Sequence, residues 1–266
     1  MFELGFMQNA FAAGLIVSIL CPFIGIFIVL KRYSMIGDTL SHSSFAGVAI
    51  GLILGTNPLI TAFIFTSICA IVIEYLRTYY KKYAELVMSI VLTLSLGIAI
   101  ILTSSGKTSA KVDSFLFGSI LTVTKSDIML IGIIGVICLI TLILIYDKLI
   151  YVTFDENGAE TAGINVKLIN YIFTILVGAT ISLSIRVMGI LVVSSIIVVP
   201  VATAIQLKFG FTKTLLFSIL FGFIDVIFGL VLSYYMNSAP GGTIALTSVI
   251  VLILTLIFKK VFSIKQ

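Results

Sequence analysis

Long, nearly uncharged apolar runs follow one another from end to end of this chain, with little polar sequence between them. Each is close to or above the roughly 18 to 20 residues that a helix needs to cross a bilayer. Hydrocarbon offers backbone groups no partner, so each run must satisfy its own N–H and C=O groups. Runs this long and evenly apolar do so as helices rather than as barrel strands. Of the 266 residues, 60% are hydrophobic and 10% are charged, whereas a soluble domain carries about a quarter charged residues. The expected fold is an all-α polytopic membrane protein, a single transmembrane domain over residues 1–266 embedded in the lipid bilayer.

About nine spans are expected, at 9–30, 37–55, 58–76, 86–104, 127–146, 168–185, 187–207, 214–236 and 243–258. An odd number puts the termini on opposite sides, and basic residues in short loops favour the cytoplasm. With the N-terminus outside, the cytoplasmic side receives Lys31, Arg32, Arg77, Lys81, Lys82, Lys148, Lys167, Lys208, Lys213, Lys259, Lys260 and Lys265. The outer side receives only Lys107, Lys111, Lys125 and Arg186, which favours N-terminus outside and C-terminus inside. The net charge of +5 is thereby a topology signal and does not point to nucleic acid. No Lys or Arg precedes the first span and no small-residue cleavage pattern follows it, so a cleaved signal peptide is not expected. Cys21, Cys69 and Cys138 fall in separate apolar runs and read as small buried hydrophobes.

Two connections are unusual. Residues 113–125 contain F-L-F-G-S-I-L-T-V, which is apolar but too short to cross, and read as an outer half-helix. Residues 147–167 form a cytoplasmic loop holding Asp147, Asp155, Glu156 and Glu160. Thr153 or Asp155 can cap a short helix ending near Gly163, presenting Ala159 and Gly163 as small contact points; a plain solvated loop is the other reading.

The segment G-D-T-L-S-H-S-S-F-A-G-V-A-I-G, from Gly37 to Gly51, carries the candidate chemistry. Asp38 and His42, the chain's single histidine, are four residues apart and share one helical face. Ser43, Gly47, Gly51 and Gly55 form a small-residue ladder on a neighbouring face, suited to close helix approach. An ionisable group at membrane depth usually marks a pathway, and carboxylate with neutral imidazole is an ordinary donor set for zinc or manganese. A helix cap and a satisfied polar contact would place the same two residues there.

Asp225 stands alone in F-G-F-I-D-V-I-F-G, where it can line the same cavity or bond to a hydroxyl of a neighbouring helix. Glu74 and Arg77 read as an interfacial ion pair, Pro200 as a kink in the seventh span, and the tyrosines of R-T-Y-Y-K-K-Y as an interfacial belt. There is no G-x-x-x-x-G-K-[ST], H-E-x-x-H or G-x-S-x-G, so neither a phosphate loop nor a familiar hydrolase motif is present.

The Gly37–Gly51 segment resembles the signature of the membrane permease subunits of bacterial zinc and manganese ABC importers. So, in the family's order, do V-D-S-F-L-F-G-S-I-L-T-V, F-D-E-N-G-A-E-T-A-G-I-N-V, R-V-M-G-I-L-V-V-S-S-I-I-V-V-P-V-A-T-A and S-Y-Y-M-N-S-A-P-G-G, from about Met7 to Lys260. The resemblance implies a multi-pass permease of the bacterial plasma membrane with no ATPase site of its own. Its implied partners are a second copy of itself, a cytoplasmic ATP-binding subunit and an extracellular metal-binding lipoprotein. It makes Asp155, Ala159 and Gly163 part of a coupling helix for the ATPase, and Asp38 and His42 a transient site for transported Zn2+ or Mn2+, with no permanently bound cofactor. There are departures: M-S-I-V-L-T-L-S-L-G lacks the histidine that some zinc-type members carry, Ser119 stands where several relatives have an acid, and Asp225 matches no family position. E-Y-L-R-T-Y-Y-K with L-F-G-S-I looks most like zinc-uptake permeases of Gram-positive bacteria, so zinc is favoured over manganese. The rival classes are a proton-driven secondary transporter using Asp38, His42 and Asp225 as a relay, and a non-transporting structural or regulatory membrane protein.

Overall fold

The computed structural model describes residues 5–33, 35–80, 83–104, 109–119 and 123–263. Among the described residues the secondary structure is helical, with no strand. Nine helices occupy the nine expected spans: α1 (Gly5–Leu30), α2 (Met35–Leu54), α3 (Pro58–Tyr79), α4 (Ala84–Ser104), α6 (Lys125–Phe154), α8 (Val166–Met188), α9 (Ile190–Ile205), α10 (Phe211–Met236) and α11 (Pro240–Ser263). Seven of them are long and apolar enough to cross a membrane. Of the other two, α9 is a shorter apolar helix of 16 residues, and the first half of α2 is diluted by its acid, imidazole and hydroxyls. Two short helices complete the order, α5 (Ser109–Leu116) and α7 (Glu156–Thr161).

The differences from the expected boundaries have local causes. The short helix expected at 113–125 begins earlier, as α5, and gives way to a turn with Gly118 at φ +73. Residues 120–122 of that stretch lie outside the described residues. A capping box then starts α6: the Thr124 hydroxyl accepts from Asp127 N, and the Asp127 carboxylate accepts from Thr124 N. The fifth span, expected to end at residue 146, stays helical to Phe154, so much of the 147–167 loop is helix. Asp127 also holds Arg186 of α8 at 3.2 Å, and that guanidinium lies 4.8 Å from the Phe115 ring centroid, which ties α5, α6 and α8 together at the face opposite α7.

Helix α2 packs against α3, α4, α8 and α9. Three of the four residues of the small-residue ladder do what their spacing suggests, while Gly55 lies past the end of α2 at φ +68 with open space around it. A Cβ on Gly47 would lie 2.7 Å from Ala62 Cα, Gly51 meets Pro58 and Thr61, and Ser43 bonds Ser95 of α4 at 2.8 Å. Between helices in lipid, such van der Waals fit replaces the hydrophobic drive. At the α7 face, Phe23, Phe27, Tyr146, Phe173 and Phe211 form an aromatic cluster with centroids 5.6 to 6.4 Å apart.

The contact of α1 with α9 offers a direct test of this packing. A Cβ on Gly25 would overlap the Ile197 carbonyl oxygen, whereas one on Gly132 of α6 would meet open space. Gly25→Val is therefore expected to destabilise the fold by about 1 to 3 kcal/mol, read as a lowered melting temperature in detergent. Gly132→Ala should leave it unchanged or slightly raised; equal melting of the two variants would contradict the packing.

Candidate functional site

Asp38 lies in the first turn of α2, close to the face that carries α7. Its side chain is exposed, while His42, one turn deeper, is half-buried. The Asp38 carboxylate acts electrostatically on the imidazole. His42 Nδ1 is buried and has no hydrogen-bond partner. Buried polar atoms are nearly always partnered; this nitrogen is not, and one turn before it stands an exposed carboxylate. Neighbouring hydroxyls are already engaged. Ser41 donates to Gly37 O at 2.7 Å, Thr39 to Met35 O at 2.9 Å and Ser43 to Thr39 O at 2.8 Å, while Ser44 Oγ is buried without a partner.

Among the described residues no group of three or more His, Cys, Asp or Glu side chains gathers into a metal-sized cluster. The structure does not bring Asp225 to the pair. It is 1% exposed on α10, a helix packed against α1, α9 and α11; its carboxyl faces the Ser248 hydroxyl of α11, and Oδ1 has no partner. The cysteines are free and separately buried, with Cys21 Sγ 3.2 Å from Ser184 Oγ.

On the α7 face, Asp155 rather than Thr153 caps α7, its Oδ1 accepting from Gly158 N at 2.9 Å. The Thr153 hydroxyl instead donates back to Leu149 O at 2.6 Å. Ala159 has no exposed surface and seats α7 against the bundle. The side that α7 offers outward is made of Asp155, Glu156, Asn157, Glu160 and Thr161, followed by Gly163 at φ +82 with open space around it.

The family model described as the ABC 3 transport family matches residues 3–259. This chain belongs to that family. Across 98% of its length it is 46% identical to a probable metal transport system membrane protein of Treponema pallidum, 98% of which is covered. It is 31% identical to the high-affinity zinc uptake system membrane protein ZnuB of Haemophilus influenzae, covering 98% of this chain and 99% of that one. Against the manganese transport system membrane protein MntC of Listeria monocytogenes the identity is 30%, over 96% and 91% of the two chains. A solved structure, PsaBC from Streptococcus pneumoniae in complex with Fab, superposes with a TM-score of 0.85 at 28% identity, covering 95% and 91%.

In this ABC 3 family chain the expected ion pair is present, with Arg77 Nη1 2.6 Å from Glu74 Oε2, and Tyr79, Tyr80 and Tyr83 are exposed as a belt would be. Sequence reasoning passed over Lys31, Tyr33, Asn170 and Thr174, which join that pair in one polar cluster on the α7 face. Asn170 lies 139 residues from Lys31, so no local pattern announces the contact.

Proposed function

We propose that this chain is the permease subunit of an ATP-driven importer that moves a divalent transition metal into the cytoplasm, zinc before manganese. The observation that carries the reading is the Asp38–His42 pair: a carboxylate and an unpartnered imidazole nitrogen, one turn apart on a helix packed among four others. A conducting site must release its ion, so a sparse donor set suits it better than a closed cage. The relatives' names include both zinc and manganese at nearly equal identity. The preference for zinc rests on the E-Y-L-R-T-Y-Y-K and L-F-G-S-I segments.

The partners follow from what one chain lacks. ATP would be hydrolysed by a cytoplasmic subunit docking on α7, and an external lipoprotein would deliver the ion. This places the N-terminus outside and α7 inside, in keeping with the distribution of basic residues. A second copy would complete the ligand set with its own acid and imidazole. Its seat is the groove of about 550 Å³ along α4, where Ser89, Thr93 and Gly97 leave room for close approach.

The test is uptake by the purified importer, with its ATPase and binding protein, in liposomes supplied with zinc or manganese alone. ATP-dependent accumulation that survives a protonophore is expected, with zinc faster. Uptake that needs a proton gradient and not ATP would contradict the proposal.

A further inference from the structure

The polar cluster on the α7 face joins α7 to the start of α2 through a single amide. Lys31, at the α1–α2 turn, donates from Nζ to Asn170 Oδ1 of α8 at 2.6 Å. Asn170 Nδ2 in turn donates to Glu156 Oε1, the first residue of α7, at 2.8 Å. Asn170 is 5% exposed, and the Lys31 ammonium lies 5.6 Å from the Phe173 ring centroid and 5.9 Å from that of Tyr33. Burial pushes the Lys31 amine down to about 8, against the pull of Glu156.

A second branch ties the same turn to α3. Arg77 donates to the Tyr33 hydroxyl and to Glu74, and Thr174, one turn along α8 from Asn170, reaches Glu74 at 3.4 Å. Backbone bonds from Tyr33 N to Ile28 O and from Ile36 N to Tyr33 O, each 2.9 Å, fix the turn to both helices it joins. Asp38 follows Lys31 by seven positions.

An asparagine amide has one acceptor end and one donor end. Here the acceptor meets a cation and the donor meets an anion, so its orientation is set and both ends are charge-assisted. Among the described residues α7 packs on α6 and α8, with Ala159 buried and its other side outward. A shift of α7 beyond the reach of the Glu156 side chain breaks the Glu156–Asn170 bond or draws Asn170 and Lys31 with it. Breaking it returns the exposed Glu156 carboxylate to water, but takes from the half-buried Lys31 ammonium the anion that the amide links to it.

We propose that Asn170 is a positioning residue that transmits movement of α7, through Glu156 and Lys31, to the turn that sets the first turn of α2 and hence Asp38 and His42. This rests on the reading of α7 as the surface that the ATPase drives. A static staple would make the same bonds, but its loss would lower the amount of assembled importer and all of its activities together. Loss of a transmitting residue instead lowers the metal moved per ATP hydrolysed.

The experiment uses the complete importer in liposomes, with zinc alone and manganese alone, and measures metal uptake and phosphate release on the same vesicles. Asn170→Leu is expected to cut metal moved per ATP by at least about fivefold while ATP hydrolysis stays near the wild-type rate. Lys31→Glu and Glu156→Lys should each do the same. Combined in one chain they should restore the ratio, because the amide can turn over to serve the exchanged charges. If Asn170→Leu does not fold, the charge exchange decides. An unchanged ratio in Asn170→Leu, or a combined variant no better than either single one, overturns the relay. Wild-type vesicles that hydrolyse ATP but move neither metal would instead contradict the permease reading itself.

Discussion

Replacing His42 with alanine is expected to lower metal uptake by more than about 10- to 100-fold, the range that loss of a mere outer-shell partner produces at a metal site. His42 Nδ1 has no protein partner to lose, so the substitution removes a donor without unsettling a hydrogen-bond network. Asp38→Ala should act as strongly on uptake with little effect on folding, since its side chain is exposed on the single chain. Both variants should remain in the membrane at wild-type abundance. Imidazole binds a metal only when neutral, so wild-type uptake should also fall as pH drops through its titration. The residual uptake of His42→Ala should lack that step. Wild-type rates in either variant would remove the assignment.

Gly163→Trp is expected to abolish co-purification of the ATPase subunit while leaving the permease folded. Gly163 follows α7 at φ +82 with open space around it, so a large side chain there projects outward and not into the bundle. The positive φ complicates the reading, because any L side chain costs about 1 to 2 kcal/mol in that conformation. Gly163→Asn separates the two effects, since asparagine tolerates the left-handed region. Co-purification retained with asparagine and lost with tryptophan identifies a surface that an ATPase must approach. Loss in both would point to backbone strain, and retention in both would take the docking surface elsewhere.

The nine long helices were legible because each expected span falls on one, and seven of them are the long apolar runs that a bilayer demands. The seat of α2 was legible too, since Ser43, Gly47 and Gly51 could serve little else than close approach, and the structure puts them against α3 and α4. Where local signals compete, the reading drifted. D-K-L-I-Y-V-T-F after residue 146 is polar enough to pass for loop, yet it continues α6 because α8 and α7 pack along it. The run F-L-F-G-S drew the outer half-helix too far along the chain, where Gly118 turns it. Asp155 was readable as a cap, but a helix of six residues is too short for periodicity to reveal that Ala159 points inward. Asp225 showed its chemistry in sequence but not its neighbours, and only tertiary packing sets it opposite Ser248 and away from the α2 pair.

The most direct measurement is pulsed electron paramagnetic resonance of Mn2+ added to the nucleotide-free permease–ATPase complex in lipid nanodiscs. Modulation from an imidazole nitrogen, absent in His42→Gln and retained in Gly132→Ala, is the predicted result. Bound manganese with no nitrogen coupling, or with coupling that His42→Gln leaves intact, would show that the ion does not meet this side chain on its way through.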